Sequence, residues 1–265
     1  MSHVASLHIY PLKSARGLSL TRLEVDAFGP KGDRRFMVVN TKGLFMTQRR
    51  HPQMALLALH HTPEGWRLSF PEHPTHSVLP PARSTIQRVT IWGEDVPGHD
   101  MGDEVATWLS GVLKEPCRLV HMHEDTLRPV DRDFSPEEAQ VSFADGFPFL
   151  LISQASLDDL NARLAEHVGM ERFRPNIVVA GVPAFAEDRW KRIRIGDIIL
   201  DVVKPCARCV MTTVEQSTGV KGKEPMATLK TYRKFEGAVL FGQNLVHRGR
   251  GTMKVGQELE VLETQ

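Results

Sequence analysis

Short runs of alternating apolar and polar residues, separated by turn formers, fill the first hundred positions of this chain. Residues 3–9 and 21–28 alternate, and the cluster Gly29-Pro30-Lys31-Gly32-Asp33 is a strong turn signal. Further strands are expected at 35–40, 44–47, 54–60, 66–70 and 86–92. Strands this short bury an apolar face only by pairing with neighbours, so the pattern points to a small β-barrel or sandwich. Residues 71–81, rich in Pro and His, are expected to form an exposed loop. A helix is expected over 101–113, with Val105, Leu109 and Val112 on one stripe.

The second half reads as mixed. Leu157, Leu160, Leu164 and Val168 recur at helical spacing, with Ser153 or Ser156 as the cap and Gly169 as the stop. Strands are expected at 176–180, 192–203, 239–246 and 253–262. The charged, Pro-bounded stretch 125–138 reads as a linker between units 1–123 and 124–265. The fold class is mixed α/β and β-rich, with a few helices in the second unit.

Composition narrows the function. The chain has 265 residues, 41% hydrophobic and 25% charged, which is the balance of a globular protein. Thirty-three basic against 32 acidic residues leave a net charge of +1, without the basic excess that binding the nucleic-acid backbone needs. The longest apolar run, 147–152, falls far short of a bilayer span, and the N-terminus lacks a signal-peptide pattern, so no membrane partner is expected. Three cysteines argue against a disulfide framework, and a cytoplasmic location is expected. Cys117, Cys206 and Cys209 cannot supply the four thiolates of an iron–sulfur cluster.

The sharpest local feature is Lys204-Pro205-Cys206-Ala207-Arg208-Cys209 after a strand. It is open to four readings. A zinc half-site would draw its other ligands from Cys117, His121 and His123. A thioredoxin-type pair should open a helix, which the β-branched Val210, Thr212, Thr213 and Val214 disfavour. A single thiolate could ligate a bound metal cofactor, with Arg208 and Lys204 favouring the anion. The two thiols could also be inert core residues. Basic groups stand at strand ends elsewhere: Lys13-Ser14 after Tyr10-Pro11, Arg34-Arg35 after the turn, and Arg174 before Pro175-Asn176. Such positions commonly assemble anion sites, and a helix starting near Ser153 would add amide donors for a phosphate.

Six motifs together carry a resemblance. Tyr10-Pro11-Leu12-Lys13-Ser14, Gly32-Asp33-Arg34-Arg35, Ser153-Gln154-Ala155-Ser156-Leu157, Phe173-Arg174-Pro175-Asn176, Cys206-Ala207-Arg208-Cys209 and Phe241-Gly242-Gln243-Asn244 stand in the order of the MOSC-domain proteins. The chain most resembles the branch with an N-terminal β-barrel MOSC region, which includes the amidoxime-reducing components. That resemblance implies an N-terminal β-barrel region followed by a MOSC β-barrel domain. It also implies a molybdenum cofactor, a pyranopterin dithiolate with a phosphate tail.

The resemblance assigns the metal ligand to Cys209, with Cys206 a neighbour. It assigns cofactor contacts to Lys13, Ser14, Arg34, Arg174, Asn176, Ala207, Arg208 and Asn244, with Asp145 and Gly146 as further contributors. A soft thiolate suits a metal already bound by sulfur, and a phosphate anion needs several fixed cations. The implied activity is two-electron reduction of N-hydroxylated compounds. Electrons would come from a separate donor protein: a flavoprotein, ferredoxin or cytochrome. Asp145, His247 and water stand as candidate proton donors. A cofactor carrier or sulfur-transfer module without turnover is the alternative, and a β-rich domain without cofactor the third reading.

Overall fold

The computed structural model describes residues 1–79, 85–123, 125–135 and 139–265. The chain is β-rich, with three α-helices among those residues. A nine-stranded sheet forms the frame. Its order is Leu259–Thr264, Trp190–Ile195, Ile198–Ala207, Ala238–Arg248, Phe149–Ser153, Ile177–Ala180, His3–Ile9 and Leu18–Leu20, with Lys234–Phe235 pairing on Ala238–Arg248. The first strand of the chain therefore lies inside the sheet built by its second half, antiparallel to Ile177–Ala180. Phe149–Ser153 and Ile177–Ala180 run parallel, joined through the helix Gln154–Asn161, because parallel neighbours need a crossover.

Residues 36–121 build a second body. Its four-stranded sheet runs Phe36–Asn40, Cys117–His121, Glu94–Asp100 and Ile86–Ile91, and Ala58–Thr62, Gly65–Ser69 and His76–Val78 form a smaller one. The helix Asp103–Leu113 closes that core with Val105, Leu109 and Val112, the predicted stripe. Each such side chain contributes about 1.5–3 kcal/mol on full burial.

Several expectations change. The predicted helix through Val168 stops at Asn161, whose amide accepts from Val168 N–H and donates to its carbonyl, at 2.9 and 3.0 Å. The chain folds back there, so Leu164 and Val168 join the helix's core without helical backbone. Within 44–47, Leu44 and Phe45 make isolated bridges instead of a strand. Pro52 starts a 3-10 turn, Pro52–Leu56, which delays the next strand to Ala58. The expected strands at 192–203 and 253–262 are each a strand pair, broken at Gly196 and Gly256, both with positive φ. The strand His76–Val78 interrupts the expected loop, and Pro80 and Pro81 lie outside the described residues. The expected linker is anchored: Arg128, 3% exposed, donates to the Ser142 and Ala144 carbonyls, each at 2.6 Å.

Candidate functional site

A cleft of about 890 Å³, its open mouth included, lies where the two bodies meet. Four chain segments supply the cations expected from the sequence. Lys13 and Ser14 sit in the turn after His3–Ile9, where Lys13 N–H bonds the Phe36 carbonyl. Arg34 closes the turn before Phe36–Asn40, and Arg174 follows the 3-10 turn Met170–Arg172. Arg208 leaves the end of Ile198–Ala207. Two register shifts in the pairing of that strand with Ala238–Arg248, at 202/204 and 205/207, bend it just before Cys209.

Ser14, Arg34 and Arg174 all have left-handed backbones, with φ of 63°, 47° and 60°. Left-handed non-glycine residues cost on the order of 1–3 kcal/mol and cluster at functional sites. Three on one cleft show that the fold holds these side chains against local preference.

The cations are mounted on protein groups, with some donors left over. Both Arg34 and Arg174 lie over the Tyr10 ring, at 4.4 and 4.1 Å. Arg34 bonds buried Asp33 at 2.6 Å and Asn176 Oδ1 at 3.3 Å, while Arg174 Nη1 donates to the Ala15 carbonyl at 2.5 Å. Arg208 donates to the Phe173 carbonyl at 2.6 Å and to Cys206 Sγ at 2.9 Å. Arg174 Nη2 and Arg208 Nε are buried with no acceptor. A buried donor without a partner costs about 1–3 kcal/mol, more when charged, and both belong to arginines that line the cleft, a donor set that fits an anion.

Electrostatics agree with that reading. Burial, and then the charge of Arg34, lower Arg174 to a pKa of about 10. Burial also brings Lys13 down to about 8, against the opposing pull of Asp145. Lys13 donates to the Phe143 carbonyl at 2.7 Å and to Asp145. Although 58% of the Asp145 side chain is open, its carboxyl lies against the Lys13 ammonium and the Trp92 indole N–H. Desolvation works to raise it, but Lys13, Trp92 and Arg49 outweigh it and hold the group well below the usual carboxylate range. Five cationic side chains thus line the cleft against one lining carboxylate.

All eleven residues that the resemblance assigned line this one cleft: Lys13, Ser14, Arg34, Asp145, Gly146, Arg174, Asn176, Ala207, Arg208, Cys209 and Asn244. Asn176 is spoken for by protein partners, accepting from Arg34 and Leu150 N–H and donating to the His8 carbonyl. Asn244 sits in register with Leu150 on one side and Lys204 on the other.

Other expectations fail. The helix starting at Gln154 lends no amides to the cleft. Its N-terminus is capped by Ser153 and by buried Glu187, which accepts from Ser153 N–H and the Ser156 hydroxyl. Arg35 turns away to Asp26 and stacks on Phe28, and Lys204 stacks on Phe134. His247 lies outside the cleft, bonded to the Asp26 carbonyl, and Asp145 is held ionised, so neither serves as a proton donor there. The zinc ligand set does not assemble: Cys117 is buried against Ser110 in the other core, and no group of three metal-ligating side chains forms among the described residues. Nor does Cys209 open an α-helix; four residues of 3-10 turn follow it.

Arg49 was not legible as a site residue. It lies in the turn after Met46, and its Nη2 is 3.4 Å from Cys209 Sγ, a neighbour 160 positions away.

The chain matches the MOSC N-terminal beta barrel domain over residues 1–116 and the MOSC domain over 138–260. It is 37% identical over 281 residues to mouse (Mus musculus) mitochondrial amidoxime-reducing component 1, spanning 98% of this chain and 82% of that protein. The chain belongs to the MOSC-domain family. Human (Homo sapiens) component 1 is 37% identical over 282 residues with the same coverage. Rat (Rattus norvegicus) component 2 is 38% identical over 277 residues, spanning 96% of this chain and 81% of that protein. These MOSC-domain relatives overturn the cytoplasmic expectation, since all three are named mitochondrial. Unpaired thiols do not distinguish one compartment from another. Among the described residues, no helix is long and apolar enough to cross a membrane.

Proposed function

We propose that this chain is a molybdenum-cofactor-dependent reductase of N-hydroxylated compounds. The observation that carries the reading is the meeting of Cys209 with Lys13, Arg34, Arg174 and Arg208 in one cleft, where two guanidinium nitrogens lack acceptors. The donor set fits the group: a soft thiolate for a sulfur-bound metal, and fixed cations for a phosphate tail. Cys209 would ligate the metal, and the four cations with Ser14, Ala207 and Asn244 would hold the pterin and phosphate. Asn176 and Asp33 act one step back, orienting Arg34.

Bound there, the cofactor supplies the two-electron chemistry that takes oxygen from nitrogen. The balance is an N-hydroxyl compound plus two electrons and two protons, giving the N–H compound and water. The chain's part is to orient, neutralise charge and supply a proton. We assign that proton to Lys13, a cleft-lining ammonium whose pKa burial brings to about 8. Three cysteines hold no four-thiolate cluster, so the electrons enter from a separate donor protein.

Metal analysis and a turnover assay test this together. Protein purified from a molybdenum-replete host should carry close to one molybdenum per chain. With dithionite and a viologen, it should convert benzamidoxime to benzamidine. Molybdenum without turnover would leave a cofactor carrier, and neither molybdenum nor turnover would overturn both readings.

A further inference from the structure

Trp92 is held beside the cleft by three contacts that the proposed chemistry leaves unused. Its indole N–H donates to Asp145 Oδ1 at 3.2 Å, the Arg49 guanidinium lies 4.7 Å from its ring centre, and Phe45 meets it edge-on at 5.1 Å. Asp145 and Arg49 both line the cleft. Of the four tryptophans in the chain, only Trp92 is exposed, at 55%.

The backbone makes the placement more telling. Trp92 and Gly93 join Ile86–Ile91 to Glu94–Asp100, with φ of 54° and 88°. Two-residue hairpin turns with both central φ positive favour Asn-Gly, and a bulky aromatic there is strained. The turn sequence is thus a poor choice for the hairpin and a good one for displaying a flat ring beside the cleft.

Arg49 ties that ring to the reacting end. One face of its guanidinium meets the indole, and its Nη2 is 3.4 Å from Cys209 Sγ. A single guanidinium therefore spans the gap between indole and thiol.

We propose that Trp92, backed by Arg49, is a specificity-determining rim that selects N-hydroxylated compounds with a flat aromatic body over aliphatic ones. The inference rests on the reductase reading above and deepens it by naming the substrate shape. Aromatic stacking contributes about 0.5–1.5 kcal/mol, which corresponds to up to roughly tenfold in selectivity.

The test uses the holoenzyme with Trp92→Gly and Trp92→Asn, both suited to the left-handed backbone, and Trp92→Phe, which keeps a ring. The ratio of kcat/KM for benzamidoxime to that for acetamidoxime should fall about tenfold in the first two variants and stay within threefold of wild type in Trp92→Phe. Calorimetric titration with benzamidoxime, without any electron donor, should show the matching rise in Kd. An unchanged ratio and Kd in Trp92→Gly and Trp92→Asn would overturn the rim. If wild type reduces neither compound, the reductase reading fails, and the titration alone still decides: loss of benzamidoxime binding on removing the ring supports the rim, and equal binding refutes it.

Discussion

Arg34 donates a hydrogen bond from Nη2 to the main-chain carbonyl of Arg174, at 3.4 Å, so two cations of the cleft are braced against each other. Buried Asp33 offsets part of their repulsion, and an anion in the cleft would offset the rest. Without one, Arg174 is a liability to the fold. Arg174→Met should therefore raise the melting temperature of the cofactor-free protein by about 3 °C, from roughly 1 kcal/mol net after the lost bond to Ala15. It should also cut molybdenum retention at least tenfold. A lower melting temperature with full molybdenum would mark Arg174 as purely structural.

Two thiols in one cleft allow a clean contrast. Arg49 meets Cys209 and Arg208 meets Cys206. Cys209→Ala should lose molybdenum and turnover together, whereas Cys206→Ala should retain most of both. The reverse pattern would move the ligand to Cys206.

Lys13 gives a pH signature. Its folded pKa, about 8, lies below the 10.5 of an unfolded lysine. Between those values the unfolded chain binds more protons, so this group's contribution to stability rises with pH by up to about 1.4 kcal/mol per unit, and is least favourable below 8. Its charge is lost over the same window, so cofactor retention and turnover should weaken as pH climbs past 8. Comparing wild type with Lys13→Met by melting temperature and by molybdenum content from pH 7 to 10 checks both slopes; parallel profiles for the two proteins would contradict the assignment.

Ser153 separates fold from site. Its side chain caps Gln154–Asn161 beside Glu187, away from the cleft. Ser153→Ala should cost about 1–2 kcal/mol, seen as a shifted denaturant midpoint, and leave molybdenum content unchanged. A loss of molybdenum at unchanged stability would restore this helix end as a phosphate site.

The backbone pattern was readable where a local rule has one solution. Alternation gave the strand His3–Ile9, and the Val105–Leu109–Val112 stripe gave the helix Asp103–Leu113. Where two structures bury the same residues, the reading slipped. Leu164 and Val168 reach the same core through a side-chain bond to Asn161 as they would through more helix, and spacing does not distinguish the two. Glycine turns at 196 and 256 were passed over because apolar residues continue on both sides of each.

From its order of residues alone, this chain specified a β-rich fold, a thiol pair after a strand, and basic groups at the ends of strands, because turn chemistry and periodicity are local. Which of those groups face one another was decided by tertiary pairing. Setting His3–Ile9 beside Ile177–Ala180 brings Lys13 and Arg34 to Arg174, and two bulges turn Cys209 toward them. The same pairing chose Arg49 and Trp92 for the rim and dismissed Arg35, Lys204 and His247, since direction in space depends on which strands meet and not on spacing along the chain.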